Sequence, residues 1–95
     1  MIDKSPYDRR TVSGVIHRNK CLLLGVLLEP DGTNASYVDI FDGENTTEPK
    51  MARIRTEATT GDPKFFYPPV FLERGLFVDL GANLTAVTVF SKSVE

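Results

Sequence analysis

Hydrophobic and polar residues alternate along most of this chain with a period of two, the period of a strand with one buried face. The clearest case is 51–56, where two arginines alternate with Ala52 and Ile54. Residues 21–28 are apolar throughout, which predicts a strand buried on both faces. The other predicted strands cover residues 12–17, 35–41, 64–70, 76–80 and 84–90.

Turn-forming residues separate these segments. Asp31-Gly32 and Asp42-Gly43 are the strongest cases, because glycine supplies positive φ and aspartate bonds its own backbone. No segment of helix length shows a 3.6-residue apolar period. The spacing predicts an all-β fold, a single β-sandwich of about seven to eight short antiparallel strands. Jelly-roll and immunoglobulin-like strand orders give the same pattern, so both stay open.

Two segments depart from regular alternation. Residues 1–10 carry most of the early charge and no period, which predicts an extended N-terminal arm before a sandwich domain at 11–95. Residues 64–70 are rich in aromatics but contain Pro68 and Pro69, which cannot donate to a ladder. That segment is predicted to be an edge strand or an irregular crossing.

Composition and charge indicate which classes of partner to expect. The chain has 95 residues, enough for one domain, and a net charge of -2 with both signs interspersed. A nucleic-acid-binding domain of this size usually carries a basic excess, so no nucleic-acid partner is expected. The apolar run at 21–28 is far shorter than a membrane span, so no membrane partner is expected. Synthesis in a reducing cytoplasm is expected, since the one cysteine excludes an internal disulfide.

The residues with reactive or metal-binding side chains form no known motif. His17 and Cys21 are a conceivable pair on neighbouring strands, but Cys21 lies in an apolar run and is predicted to be a small buried hydrophobe. Asp39, Asp42 and Glu44 lack the ligand spacing of a calcium loop. No catalytic residue, cofactor or metal site is therefore predicted, and the chain is expected not to be an enzyme.

An aromatic cluster surrounds the two prolines: Phe65, Phe66, Tyr67 and Phe71. The favoured interpretation is that these rings fill the core, because a small sandwich without tryptophan needs large side chains. A contact patch between subunits is the first alternative. A stacking surface for sugar or single-stranded nucleic acid is the second.

The order of strands and turns resembles that of small β-sandwich structural proteins of bacteriophage virions. Residues 25–46 contain a hydrophobic strand, a turn and an alternating strand that ends in Phe41-Asp42-Gly43. Ile54 in the following strand, a Gly-Leu-aromatic-Val segment at 75–78 and a β-branched strand at 85–89 continue the pattern. Such proteins are capsid decoration or cement subunits, head fibres or tail structures.

The resemblance implies a virion structural protein, most simply a decoration subunit on the capsid surface. Its partners would be the major capsid protein or other virion proteins and further copies of itself, with a trimer favoured. Arg9 and Arg10 would meet acidic groups of the partner, and Tyr7, Phe65 and Tyr67 are further candidate contacts. The alternative is a carbohydrate- or host-surface-binding module of a tail or head fibre. A small enzyme built around His17 is a third hypothesis.

Overall fold

The computed structural model describes residues 7–58 and 63–94, which form strands joined by turns. No helix occurs in these two ranges. The strands, in chain order, are β1 (Tyr7–Arg10), β2 (Gly14–His17), β3 (Cys21–Pro30), β4 (Ser36–Phe41), β5 (Lys50–Thr56), β6 (Pro63–Leu72), β7 (Leu76–Leu80) and β8 (Leu84–Ser93). The prediction of an all-β chain with about seven to eight short strands is confirmed.

The strands form two four-stranded sheets. The front sheet has the order β1-β8-β3-β6, and the back sheet has the order β2-β7-β4-β5. Every pairing between neighbouring strands is antiparallel. The sheets pack against each other through a shared hydrophobic core, which gives a sandwich-like arrangement.

The core consists of alternate residues of the strands, since successive side chains of a strand point to opposite faces. β3 and β8 lie side by side in the middle of the front sheet and supply many of its members, whereas β4 and β7 supply them from the back sheet. Cys21 is fully buried in this core, as its apolar surroundings predict. The buried members are Cys21, Leu23, Val26, Leu28, Val38, Ile40, Leu72, Leu76, Val78, Leu84, Val87 and Val89.

The central strand β3 is buried on one side and only half-buried on the other. Leu23, Val26 and Leu28 on its inner side are fully buried, whereas Leu22 and Leu27 on its outer side remain partly exposed. The prediction that this strand is buried on both faces is therefore wrong for the outer side. The physical reason is that the described residues place no further layer over the front sheet.

The last four residues of the predicted N-terminal arm form a strand. β1 is an edge of the front sheet and runs antiparallel to β8, with Tyr7 opposite Phe90 and Arg10 opposite Val87. A strand this short with four polar or amphipathic side chains has no apolar alternation, which explains why the pattern did not reveal it. Residues 1–6 lie outside the described residues.

The other edge of the front sheet, β6, is interrupted by its prolines. Phe65 lies opposite Gly25 and Val70 lies opposite Leu23, so residues 66–69 of β6 have only Leu24 of β3 against them. This segment, termed the β6 excursion below, contains Pro68 and Pro69, which have no N–H to donate to the ladder. The predicted edge position of this aromatic segment is confirmed.

Candidate interaction surface

The outer side of the front sheet, termed the front face, carries an aromatic row that crosses all four strands. Residues directly opposite each other in a ladder share a face of the sheet. The register places Tyr7 of β1 opposite Phe90 of β8. Gly25 of β3 lies between Phe90 and Phe65 of β6. The Phe65 and Phe90 rings meet above Gly25, with centroids 5.4 Å apart and planes inclined by 41°.

Gly25 leaves the space through which these two rings meet. A Cβ atom at this position would lie 2.5 Å from Cδ1 of Phe65 and 2.6 Å from the backbone oxygen of Lys64. Both distances are far shorter than a van der Waals contact between these atoms allows. The lack of a side chain at residue 25 therefore lets Phe65 reach across β3 and connect β6 with β8.

Two more positions extend the row along β3. Leu22 lies opposite Phe71 of β6, and Leu27 lies on the same side as Gly25, two residues further along the strand. The front face is thus largely apolar, with Thr88 opposite Leu27 and the exposed Lys92 opposite Leu22 as its polar members on β8. Its apolar side chains are Tyr7, Leu22, Leu27, Phe65, Phe71 and Phe90.

Several of these rings are open to solvent. The exposed fractions are 55% for Tyr7, 50% for Phe65 and 48% for Phe71, and Tyr67 in the β6 excursion reaches 89%. The interpretation that the aromatic cluster fills the core is therefore wrong for Phe65, Tyr67 and Phe71. Only Phe66 of that cluster packs against the core. Strand alternation turns Phe65 and Phe71 outward, and Tyr67 lies where β6 has left its ladder.

An ion pair closes one end of the front face. The Nε and Nη2 atoms of Arg9 donate to the two carboxylate oxygens of Glu29 at 2.8 and 2.9 Å. Arg9 of β1 lies opposite Thr88 and Glu29 of β3 lies opposite the buried Ala86, so the pair crosses β8 diagonally between these two positions. The hydrogen bonds raise the pKa of Arg9 and lower the pKa of Glu29, so both stay ionised at neutral pH.

Arg10 has a different position from Arg9. Its Nη2 atom donates to the Asp8 carboxylate at 3.0 Å and to the backbone oxygen of Val15 at 2.9 Å. Val15 belongs to β2 of the back sheet, so Arg10 joins the first strands of the two sheets. Among the predicted contact residues, the structure therefore brings Tyr7, Arg9 and Phe65 together on the front face, with Tyr67 at its edge and Arg10 elsewhere.

The outer side of the back sheet, termed the back face, carries charged residues with partners beside an edge-to-face pair of rings, Phe41 and Phe77. Asp39 of β4 is buried and accepts two hydrogen bonds from Arg53 of β5, at 2.7 and 3.0 Å. The Lys50 ammonium lies 3.3 Å from the same carboxylate. These bonds, led by that from Arg53, hold the pKa of Asp39 below its usual value. Asp79, opposite Asp39 in the ladder, accepts from the Ser13 hydroxyl at 2.8 Å.

The aromatic side chain in the middle of the back face is covered. The Arg53 guanidinium lies 3.9 Å from the Tyr37 ring centroid, the geometry of a cation–π contact. Gly81 lies so close to the same ring that a Cβ atom there would be 2.8 Å from three ring carbons. The Tyr37 ring is therefore covered by Arg53 and Gly81 and offers little area to a ligand.

The lone histidine lies between the two sheets. The Nε2 atom of His17 is 2.9 Å from the hydroxyl of Ser91, and this hydroxyl-bearing residue is only 8% exposed. The contact joins β2 of the back sheet with β8 of the front sheet. Cys21 is buried near this end, and burial followed by the charge of Asp42 raises the pKa of its thiol to about 11. The thiol is therefore protonated at neutral pH.

The acidic residues considered for calcium have other partners. Asp39 binds Arg53, Asp42 accepts from the backbone N–H of Arg74 at 2.9 Å, and Glu44 pairs with Arg18 at 2.6 Å. Within residues 7–58 and 63–94, no group of three or more histidine, cysteine, aspartate or glutamate side chains is placed to hold a metal ion.

Sequence reasoning missed Leu22, Leu27 and Phe90 as members of the surface, and it considered Phe71 there only as an alternative to the core. The sequence of β3 did contain an indication of this surface, because its odd and its even positions are both apolar. A strand with only one buried side needs apolar residues at every second position alone. The excess of apolar residues pointed either to a second core or to an exposed apolar surface. Only the three-dimensional arrangement distinguishes the two.

Comparison with known proteins gives no assignment. No helix in the described parts of the chain is long and apolar enough to cross a membrane. No family model matches the sequence, and neither a curated protein nor a solved structure is significantly similar to it. The resemblance to virion structural proteins therefore stays a prediction.

Proposed function

We propose that this protein is a non-enzymatic structural subunit of a virion, a capsid decoration or cement protein that docks through its front face. Its partners would be the major capsid protein or another virion protein, and its location the virion after synthesis in the host cytoplasm. The observation that carries the proposal is the continuous, solvent-exposed apolar row from Tyr7 through Phe90 to Phe65. Large exposed apolar patches on small domains are typical of sites of protein association.

We propose further that the sandwich is of the jelly-roll type. The orders β1-β8-β3-β6 and β2-β7-β4-β5 support this, because they divide eight antiparallel strands equally and place the first strand beside the last. A constant-type immunoglobulin sandwich has seven strands divided as four and three. Jelly rolls are common in viral capsid proteins and in lectins, which makes an assembly subunit the first candidate.

The environment of the reactive side chains supports a function without catalysis. A nucleophile needs access to its substrate, and the Ser91 hydroxyl that contacts His17 is almost fully buried between the sheets. The Cys21 thiol is buried and held in its protonated form. The Asp39 carboxylate is committed to Arg53 and Lys50. Each group stabilises the fold in its present position.

The decisive experiment mixes the purified protein with phage capsid shells that lack decoration proteins and measures co-sedimentation. We expect saturable binding by the wild type and strongly reduced binding by Phe71→Asp, which places a charge on the front face. Val12→Asp is the matched control, because Val12 is 69% exposed and lies in the turn between β1 and β2. No binding to any shell, or equal loss with both variants, would contradict the proposal.

A second candidate is a carbohydrate- or host-surface-binding module of a fibre. It is favoured by the exposure of Phe65, Tyr67 and Phe71 at one edge of the front sheet, since exposed aromatic rings stack on sugars. Titration with a glycan panel tests it. Binding that is lost in Tyr67→Ala but kept in Val12→Asp supports this candidate over the decoration subunit.

A further inference from the structure

We infer that the front face is the contact between two copies of this chain, which pack face to face about a two-fold axis. The inference rests on the proposed use of the front face for docking, and it identifies a second copy as the neighbour on that face in the free protein. Binding to a capsid through the same residues requires the two copies to separate. The basis of the inference is the area of the apolar surface, the number of such surfaces on the molecule and the distribution of charge around it.

The area agrees with one side of a small stable interface. Tyr7, Phe65 and Phe71 are each about half exposed, so together they offer roughly 300 Å² if a buried aromatic residue covers about 200 Å². The half-buried Leu22, Leu27 and Phe90 raise this to roughly 400 Å². A standard interface covers about 800 Å² on each partner, and only a little more than half of that area is apolar.

The symmetry follows from the number of apolar surfaces. An isologous pair needs one self-complementary patch, whereas a closed trimer needs two different patches that fit each other. In the described parts of the chain, the front face is largely apolar, whereas the back face carries Asp39, Arg53 and Lys50. Phe41 of the back face is buried beneath Lys50 and so adds no second exposed apolar patch. One apolar face therefore favours a two-fold pair over the trimer that the family resemblance implies.

The charges near the front face lie at its two ends. Lys92, exposed opposite Leu22, can keep its ammonium in water at the rim of a contact while its methylene groups pack. Arg9 and Glu29 neutralise each other on the same chain, at 2.8 and 2.9 Å, and so bring no uncompensated charge to the other end of the surface. Two stacked sheets lie about 10 Å apart, so rings of one front face can interdigitate with those of the other. The prolines of the β6 excursion block strand addition at that edge, which leaves the face rather than this edge for association.

The test is sedimentation equilibrium of the full chain over a wide range of concentrations. We expect the wild type to reach twice the 10.6 kDa chain mass. Phe71→Asp and Tyr7→Asp, at opposite edges of the front sheet, should each weaken self-association by at least roughly a hundredfold. Val12→Asp should pair like the wild type. Unchanged circular dichroism spectra establish that the variants are folded.

Three outcomes would overturn the pair: a wild type that stays monomeric at all concentrations, a wild type that reaches three chain masses, or front-face variants that keep the wild-type association. The capsid-shell experiment separates this inference from the proposed function. A monomer that binds shells through Phe71 removes the pair and keeps the decoration subunit. A pair that ignores all shells keeps the front-face contact and removes the decoration subunit.

Discussion

The front and back faces are both solvent-facing sides of four-stranded antiparallel sheets in one molecule, yet the side chains that they expose differ. On the back face, Asp39 accepts two hydrogen bonds from Arg53, and Tyr37 is covered by the same guanidinium. On the front face, Tyr7 and Phe71 point into solvent with about half of their area uncovered. Antiparallel sheets commonly bury one side and solvate the other, which describes the back sheet.

The difference shows which face needs another molecule. The polar groups of the back face satisfy each other, so water is a sufficient neighbour. Covering the rings of the front face with another molecule would be favourable, by about 25 cal/mol for each Å² of apolar area removed from water. Stability should therefore depend on the back face within one chain, and association should depend on the front face.

The largest effect on stability is expected from Asp39→Ala. The change removes two charge-assisted hydrogen bonds and leaves Arg53 and Lys50 without their shared carboxylate. We expect a loss of about 3 kcal/mol in the free energy of unfolding. Urea unfolding at pH 7 measures it. The control is Glu44→Gln, which breaks an exposed pair with Arg18 and should hardly move the midpoint.

The next effect is expected from Gly25→Ala on the front sheet. The new methyl group collides with the Phe65 ring and with the backbone oxygen of Lys64, and the backbone cannot move as a flexible side chain would. Overpacking of this kind costs about 2 kcal/mol of stability. The control is Gly14→Ala, whose methyl group would approach only one side-chain atom, Nη1 of Arg10, at the longer distance of 3.2 Å. Equal melting temperatures of the two variants would contradict the close packing at Gly25.

A smaller effect is expected from acid, again through the back face. The pKa of Asp39 is lower in the folded chain than its ordinary value of 3.8, so the ionised form is bound more tightly in the fold. This contribution is complete above the unfolded pKa and is lost as pH falls through the folded pKa. Thermal melts from pH 7 to pH 2 should show a larger fall for the wild type than for Asp39→Asn. Parallel curves would show that Asp39 does not couple to folding.

The smallest effect is expected from Arg9→Gln at the end of the front face. The pair with Glu29 is exposed to solvent, so its loss should change the melting temperature little. Added salt should lower the melting temperature of the wild type slightly more than that of the variant, because ions screen exposed pairs and the variant has one pair fewer. Association should respond more than stability, since Glu29 would then bring an unpaired charge to the contact between copies. Sedimentation at low and high salt measures this difference.

The sequence alone predicted the positions of the strands better than it predicted which side of each strand faces solvent. Alternation located β5, because its two arginines are exposed at alternate positions and Ile54 between them packs inward. Alternation places Phe65 and Phe71 on the same side of β6, but it could not show that this side faces solvent, because that depends on the pairing of β6 with β3. It also gave no information on which strands are neighbours, since that choice depends on contacts far apart in the chain.

The pair of Asp39 and Arg53 shows the same limit at the level of one contact. A charged residue in the middle of the apolar strand β4 signals that a partner is needed. The partner lies on the next strand, where the register places Arg53 opposite Asp39 and Arg55 opposite Tyr37. Alternation places Arg53 and Arg55 on the same side, so the sequence pattern leaves two possible partners for Asp39. The strand register determines which of the two it is.

The position of β8 has a consequence for the order in which the molecule is completed during synthesis. This strand is the final one along the described chain, yet it lies between β1 and β3 in the front sheet. While the ribosome is still making residues 84–93, β1 has no neighbour to bond and β3 has an open side. The front sheet therefore closes only after translation of its last strand, and the early strands need protection from other nascent chains until then.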